Sequence, residues 1–185
     1  MDREFQRQIF HIIIGIGAIF ILYEFGRKAL MVSDFLIVII GLILINQRVR
    51  GKKIGIVEWF ENKFEREGVL FPGWGSATYA IGVLIAVTIL NQREEIGAVI
   101  AILAFGDSLS TIVGRESKNK LPWNNKKTVN GSIAFFVFGS IAGFVFVGVN
   151  SIIAAGILAI IESIDTQIDD NIMIPLLGSL LFLVI

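Results

Sequence analysis

The chain has 185 residues, 55% of them hydrophobic and only 17% charged, with a mean hydropathy of +0.77. A soluble domain carries about a quarter charged residues, so this composition excludes an ordinary soluble enzyme and indicates a single integral membrane domain. The lack of cysteine removes disulfides and thiolate metal sites, and the lone His11 removes zinc centres built on several histidines.

The predicted elements are membrane helices. The N-terminal "MDREFQRQIFH" carries both signs of charge and no A-x-A-like site follows the first apolar block, so that block reads as a retained span. Apolar segments fall at about 8–25, 29–45, 76–90, 96–114, 132–149, 151–163 and 172–185, which predicts an all-α bundle of about seven transmembrane helices. The third, sixth and seventh are short against the roughly 20 residues a perpendicular helix needs, and 151–163 is short enough for a re-entrant segment. Between the second and third, "IVEWFENKFERE" sets Val57, Phe60 and Phe64 at helical spacing opposite Glu58, Glu61 and Glu65. This predicts a short amphipathic helix in the membrane interface, after which "GVLFPGWGS" turns the chain back.

With seven spans, Arg3, Arg7, Arg48, Arg50, Lys52, Lys53, Lys63, Arg66, Arg115, Lys118, Lys120, Lys126 and Lys127 share one side. The other side holds Arg27, Lys28 and Arg93. The positive-inside rule then predicts a cytoplasmic N-terminus, an external C-terminus, and a cytoplasmic setting for the basic loop 115–131 and the acidic loop 164–171.

Three polar groups stand out along this scaffold. Asp107 lies eight residues before Arg115, about 12 Å below the end of its span. A charge there costs about 2.5–3.5 kcal/mol, so it must face the bundle interior or a water-filled cavity, with Ser110, Thr111 and Gly114 extending the polar stripe. A polar contact between helices is the plainer reading of the same residue. Next, Lys126 and Lys127 precede a span predicted to start at Gly131–Ser132, and a helix N-terminus beside two lysines suits an anion. Loop anchoring with Ser132 as an N-cap would need the same residues. Finally, Asp169, Asp170 and Asn171 open the seventh span, with Glu162 and Asp165 before them. Such oxygens suit Mg²⁺ together with substrate phosphates, or else cap the helix. No Walker A run is present. His11 reads as an interfacial hydrogen-bonder, Asp34 has no assigned role, and the glycines of the fifth span, Gly139 and Gly143 above all, permit close helix contact.

The blocks "GDSLSTIVGR", "KLPWNNKKTVNGSIAFF" and "ESIDTQIDDNIMIPL", with the weaker "RQIFHIIIG" at the start, resemble the polyprenol kinase family. That family includes dolichol kinase, phytol kinase and CTP-dependent diacylglycerol kinases. Asn130 stands where the family commonly has an acidic residue. The resemblance implies a multi-pass enzyme transferring the terminal phosphoryl group of CTP, or another nucleoside triphosphate, to a membrane alcohol such as dolichol. It implies that Arg115, Lys126, Lys127, Thr128, Gly131 and Ser132 hold the nucleotide. Asp107, Glu162, Asp169, Asp170 and Asn171 would hold Mg²⁺, with Asp107 either a metal ligand or the acceptor of the alcohol's proton. The implied partners are the lipid alcohol, the nucleotide and membrane lipids, with a homodimer admissible and no nucleic acid. A cytidylyltransferase making a CDP-lipid and a cation- or proton-coupled transporter are the competing readings.

Overall fold

A computed structural model describes residues 3–64 and 73–185. Glu65, Arg66 and most of the turn 68–76 expected after the amphipathic helix lie outside the described residues.

The described residues are mostly helical. In order it forms α1 (Arg3–Phe25), α2 (Arg27–Val49), α3 (Gly55–Phe64), α4 (Trp74–Ile89) and α5 (Arg93–Glu116). A two-stranded antiparallel hairpin follows, β1 (Lys120–Leu121) and β2 (Asn124–Thr128). Then come α6 (Val129–Val147), α7 (Asn150–Glu162) and α8 (Asp170–Phe182). The helices α1, α2, α5 and α6 are long and apolar enough to cross a membrane, and α4, α7 and α8 are shorter apolar helices.

Burial sorts these helices into a centre and a rim. In α5, 72% of the most apolar stretch is buried, against 11% in α2. Ile96, Ile100, Ile102 and Leu103 of α5 pack with Leu22, Tyr79, Val83, Phe135, Leu158 and Ile174 from five other helices. By contrast, Phe35, Leu36, Ile37, Ile40 and Ile43 on α2 are exposed. A hydrophobic residue on that scale of exposure is stable only against another apolar medium, and lipid is the obvious one.

The segment α3 is the amphipathic helix expected over these residues. Phe60 and Phe64 close on Phe10 of α1, with ring centroids 5.0 and 4.7 Å apart. On its other face, Glu58 and Glu61 pair with Arg48 at the end of α2.

Small residues set how closely α5 and α6 meet. A Cβ added at Gly131 would lie 3.0 Å from Thr128 Oγ1, 3.2 Å from the Ser110 carbonyl and 3.3 Å from Gly114 Cα. Backbone therefore touches backbone, and the first turn of α6 is pressed against the last turns of α5. Lower down, a Cβ at Gly143 would stand 2.8 Å from Ser151 Cβ, which brings α7 equally close.

One expectation needs correction: the helix expected from Gly131–Ser132 begins at Val129, and Thr128, not Ser132, caps it by accepting from the Gly131 N–H at 3.1 Å. The loop 115–131 contains a short hairpin on the otherwise helical fold, in which Leu121 pairs with Asn124 around a Pro122–Trp123 turn. His11 is 2% exposed, and its ring stands 4.8 Å from that of Tyr79.

Candidate functional site

One end of the bundle encloses a cavity of about 600 Å³, inside the range of about 300–1,000 Å³ usual for small-molecule sites. Asp107, Arg115, Lys126, Lys127, Thr128, Gly131, Ser132, Glu162, Asp169, Asp170 and Asn171 all line it. Residues 64 positions apart in the chain are thus brought to one space. The placement does not give them one job.

The floor belongs to α5. Residues Ile102–Asp107 form a π-helical turn inside this helix, and Asp107 is its last residue. A π turn holds one residue more than an α turn and re-aims the side chains after it. Asp107 is 8% exposed, and no hydrogen bond reaches its carboxylate among the described residues. Ser110, one turn on, donates to Glu162 Oε1 at 3.3 Å.

The hairpin forms one wall and is docked, not loose. The Asn124 amide donates to the Ser163 carbonyl at 3.0 Å, while Asn124 Oδ1 accepts from the Lys126 N–H, also at 3.0 Å. Trp123 Nε1 donates to Ser163 Oγ at 3.2 Å. These bonds fix β2 over the end of α7. They send Lys127 inward and leave Lys126 at the rim, where it meets Asp165 at 2.8 Å.

The inner lysine bridges two acids. Lys127 Nζ donates to Glu162 Oε1 and, at 2.7 Å, to Asp170 Oδ2. Burial opposes its charge, but the Glu162, Asp170 and Asp107 carboxylates outweigh burial and hold the ammonium above its ordinary range. At the rim, the hydrogen bond and charge of Lys126 hold the Asp165 carboxyl below its ordinary value.

One carboxylate oxygen each from Asp107, Glu162 and Asp170 lies within 4.8 Å of the others. Glu162 is 1% exposed, and its second oxygen, Oε2, is buried with no hydrogen-bond partner. An oxygen-only donor set with a spare buried oxygen suits a hard divalent cation. Lys127 draws on two of the same three acids, so cation and lysine would share them.

The other acidic-loop residues do different work. Asp169 caps α8 by accepting from the Asn171 N–H at 3.0 Å, and its Oδ2 accepts from Trp74 Nε1 at 3.2 Å. The Asn171 amide donates to Thr78 Oγ1 at 3.2 Å and to the Gly75 carbonyl at 3.4 Å, tying α8 to α4. Both line the cavity, yet neither carboxylate nor amide belongs to the converging triad. Thr128 likewise spends its hydroxyl on the cap of α6, and it sits 3.5 Å from the Gly114 carbonyl. Ser132 Oγ, in contrast, is buried without a partner.

Several lining residues escape a reading by local pattern. Glu4 and Arg7 enter from the start of α1, and Lys120 and Asn124 from the hairpin. Arg7 belongs to the "RQIFH" stretch that carries the weaker part of the resemblance, which was the available signal. Glu4 had none, because only the packing of α1 against α5 brings it there.

Cations and acids meet around the cavity: Lys126 pairs with Asp165, Lys127 with Glu162 and Asp170, and Arg7 with Glu4, while Arg115 and Lys120 also line it. Basic groups beside a carboxylate cluster can hold a polyanion together with a metal.

No protein-family model matches this sequence, and no solved structure matches it. It is 33% identical over 175 residues to an uncharacterized protein of Methanocaldococcus jannaschii, an alignment covering 94% of this chain and 89% of that one. With that identity across nearly all of both chains, this chain belongs to the same family as the Methanocaldococcus protein.

Proposed function

We propose that the protein is a multi-pass membrane kinase that moves the terminal phosphoryl group of a nucleoside triphosphate, CTP in the first instance, onto a membrane alcohol of the polyprenol class. The observation that supports this most is the meeting of a basic hairpin, a helix start and a carboxylate triad in one cavity, with Asp107 on its floor. Phosphoryl transfer asks for charge neutralisation, positioning and a route for one proton, and little else.

In this reading all seven apolar helices cross the bilayer, with α3 in the interface. The cavity faces the cytoplasm, as the distribution of lysine and arginine requires. Lys126, Lys127, Arg115 and the first turn of α6 hold the phosphates. Mg²⁺, held by Asp107, Glu162 and Asp170, would supply neutralisation of the phosphate oxygens. The alcohol oxygen bonds to the terminal phosphorus as the bond from that phosphorus to the bridging oxygen breaks. The nucleoside diphosphate departs, and the alcohol's proton passes to a carboxylate oxygen of Asp107. The alcohol, seated against Asp107 on the cavity floor, would displace the water that otherwise competes with it as acceptor.

Purified protein in lipid nanodiscs, given CTP or ATP, Mg²⁺ and geranylgeraniol, dolichol or diacylglycerol, tests this. The expected products are a lipid monophosphate and a nucleoside diphosphate. Failure of every donor and acceptor pair with folded protein overturns the reading. A CDP-lipid with pyrophosphate would replace it by cytidylyl transfer.

A further inference from the structure

We propose that a narrow aromatic slot between α1, α3 and the start of α4 holds the hydrocarbon next to the acceptor's hydroxyl, with Arg7 where slot and cavity join. This rests on the phosphoryl-transfer reading and names the place where its lipid substrate is gripped.

The slot has a volume of about 70 Å³ and shares Arg7 and Asp169 with the large cavity. Its outer wall is aromatic: Phe10, Phe60 and Phe64 form a closed trio, and Trp74 stands across from them, 40% exposed. Part of the facing wall is bare backbone, at Gly73 and Gly75. Arg7, His11 and Asp169 complete the lining, with Asp169 accepting from Trp74 Nε1 at 3.2 Å. Apolar rings with hydrogen-bonding groups beside them match an alcohol on a hydrocarbon chain.

Size narrows the occupant further. A water molecule takes about 30 Å³ of liquid, so about 70 Å³ admits a few carbon atoms and not a whole chain. The remaining tail stays in the bilayer. The amphipathic α3, which supplies Phe60 and Phe64, lies at the depth where a lipid hydroxyl resides. Arg7 is fixed at the junction by its bond to Glu4, and its Nε is buried with no hydrogen-bond partner. The guanidinium, which lines both spaces, is a donor for the alcohol oxygen or for a phosphate oxygen beside it. Free diffusion of the alcohol into the cavity from water is closed to so insoluble a molecule. Entry from the membrane side through a slot that shares two walls with the cavity is the remaining path.

The variant Gly75→Leu is aimed at plugging the slot: a Cβ at Gly75 meets only Arg7 Nη1, at 3.9 Å, an ordinary contact, and the melting temperature reads whether the larger side chain is tolerated. The probe is a C20 isoprenoid alcohol carrying a diazirine near its hydroxyl, photolysed with the full-length protein in nanodiscs without nucleotide. Adducts mapped by mass spectrometry should fall on Phe10, Phe60, Phe64 or Trp74 and should vanish with excess geranylgeraniol. Gly75→Leu, at unchanged melting temperature, should lower this labelling about tenfold, equivalent to about 1.4 kcal/mol of binding. Adducts on the exposed face of α2 that geranylgeraniol does not compete would overturn the proposal. So would undiminished slot labelling in Gly75→Leu. Competed slot labelling with no lipid phosphate from any donor would keep the alcohol site and remove the transfer reading. Lipid phosphate formed by Gly75→Leu at the wild-type KM for the alcohol would do the reverse.

Discussion

Lys127 is the residue on which the charges of the cavity converge, since it bridges Glu162 and Asp170. Removing one partner of a fully buried ion pair costs about 3–5 kcal/mol. Lys127 keeps a quarter of its side chain exposed, so Lys127→Ala should cost less, about 2–3 kcal/mol, read as a lower melting temperature in nanodiscs. Adding Glu162→Gln should recover part of the loss, because the stranded charge is then gone. Strictly additive losses would contradict the pairing. The sign of the pH effect follows from the raised lysine. A group whose folded value is raised contributes fully below its unfolded value, about 10.4, and loses that contribution only as pH climbs through the folded value. The penalty of Lys127→Ala should therefore be the same at pH 7 and pH 9. At the rim the direction reverses: the lowered Asp165 carboxyl contributes above about 3.9 and loses its share as pH falls further.

At the level of elements, the contact of α5 with α6 decides where the site's two halves stand. Gly131→Ala puts a methyl against Thr128, Ser110 and Gly114 and should cost about 1–3 kcal/mol as an overpacked contact, while moving the hairpin away from Asp107. Gly156→Ala is the counterpart. Its Cβ would meet Phe136 at an ordinary 3.5 Å, and the gain in helix propensity is up to about 1 kcal/mol, so stability should hold or rise. Equal losses in both variants would contradict the close-packed seam. The long apolar helices and the amphipathic α3 were legible in the sequence because hydropathy and helical period report burial directly. The hairpin was not, since "KLPWNNKKT" is mainly polar, and Leu121 and Trp123 alone are too short a run to show the alternation that marks a strand. It pairs because Trp123 and Asn124 dock on Ser163, a contact 40 residues away. The π turn before Asp107 had no local signal either, for "ILAFGD" reads as ordinary helix. Asp169 illustrates a residue whose pattern fits two uses: its type and position suited a metal or a cap, and it caps α8 and accepts from Trp74.

Across the whole molecule, the start of α1, the hairpin and the α7–α8 loop gather at one end, so both charged loops must lie on one side of any membrane the bundle spans. Asn125→Cys and Ile168→Cys, both at exposed positions, place reporters on the two loops in a chain without background cysteine. In sealed right-side-out vesicles both should resist an impermeant maleimide until the membrane is opened, while Asn91→Cys at the opposite end reacts at once. Opposite behaviour of the first two would split the cavity. The expectation that the loops share a site required α7 to bring the chain back to the hairpin's end, and Ser163, just past this 13-residue helix, meets Trp123 and Asn124 there. What charge counting could not supply was the third dimension: which of many acids would meet Lys127, and that α1 would close the cavity. The central claim is that Asp107 takes a proton during transfer to a lipid alcohol. Its most direct measurement is the rate of lipid phosphate formation by Asp107→Asn under saturating nucleotide, Mg²⁺ and geranylgeraniol. Loss of the proton acceptor should lower kcat about 100- to 10,000-fold with the melting temperature held or raised. A variant turning over at the wild-type kcat would show that Asp107 only holds helices together.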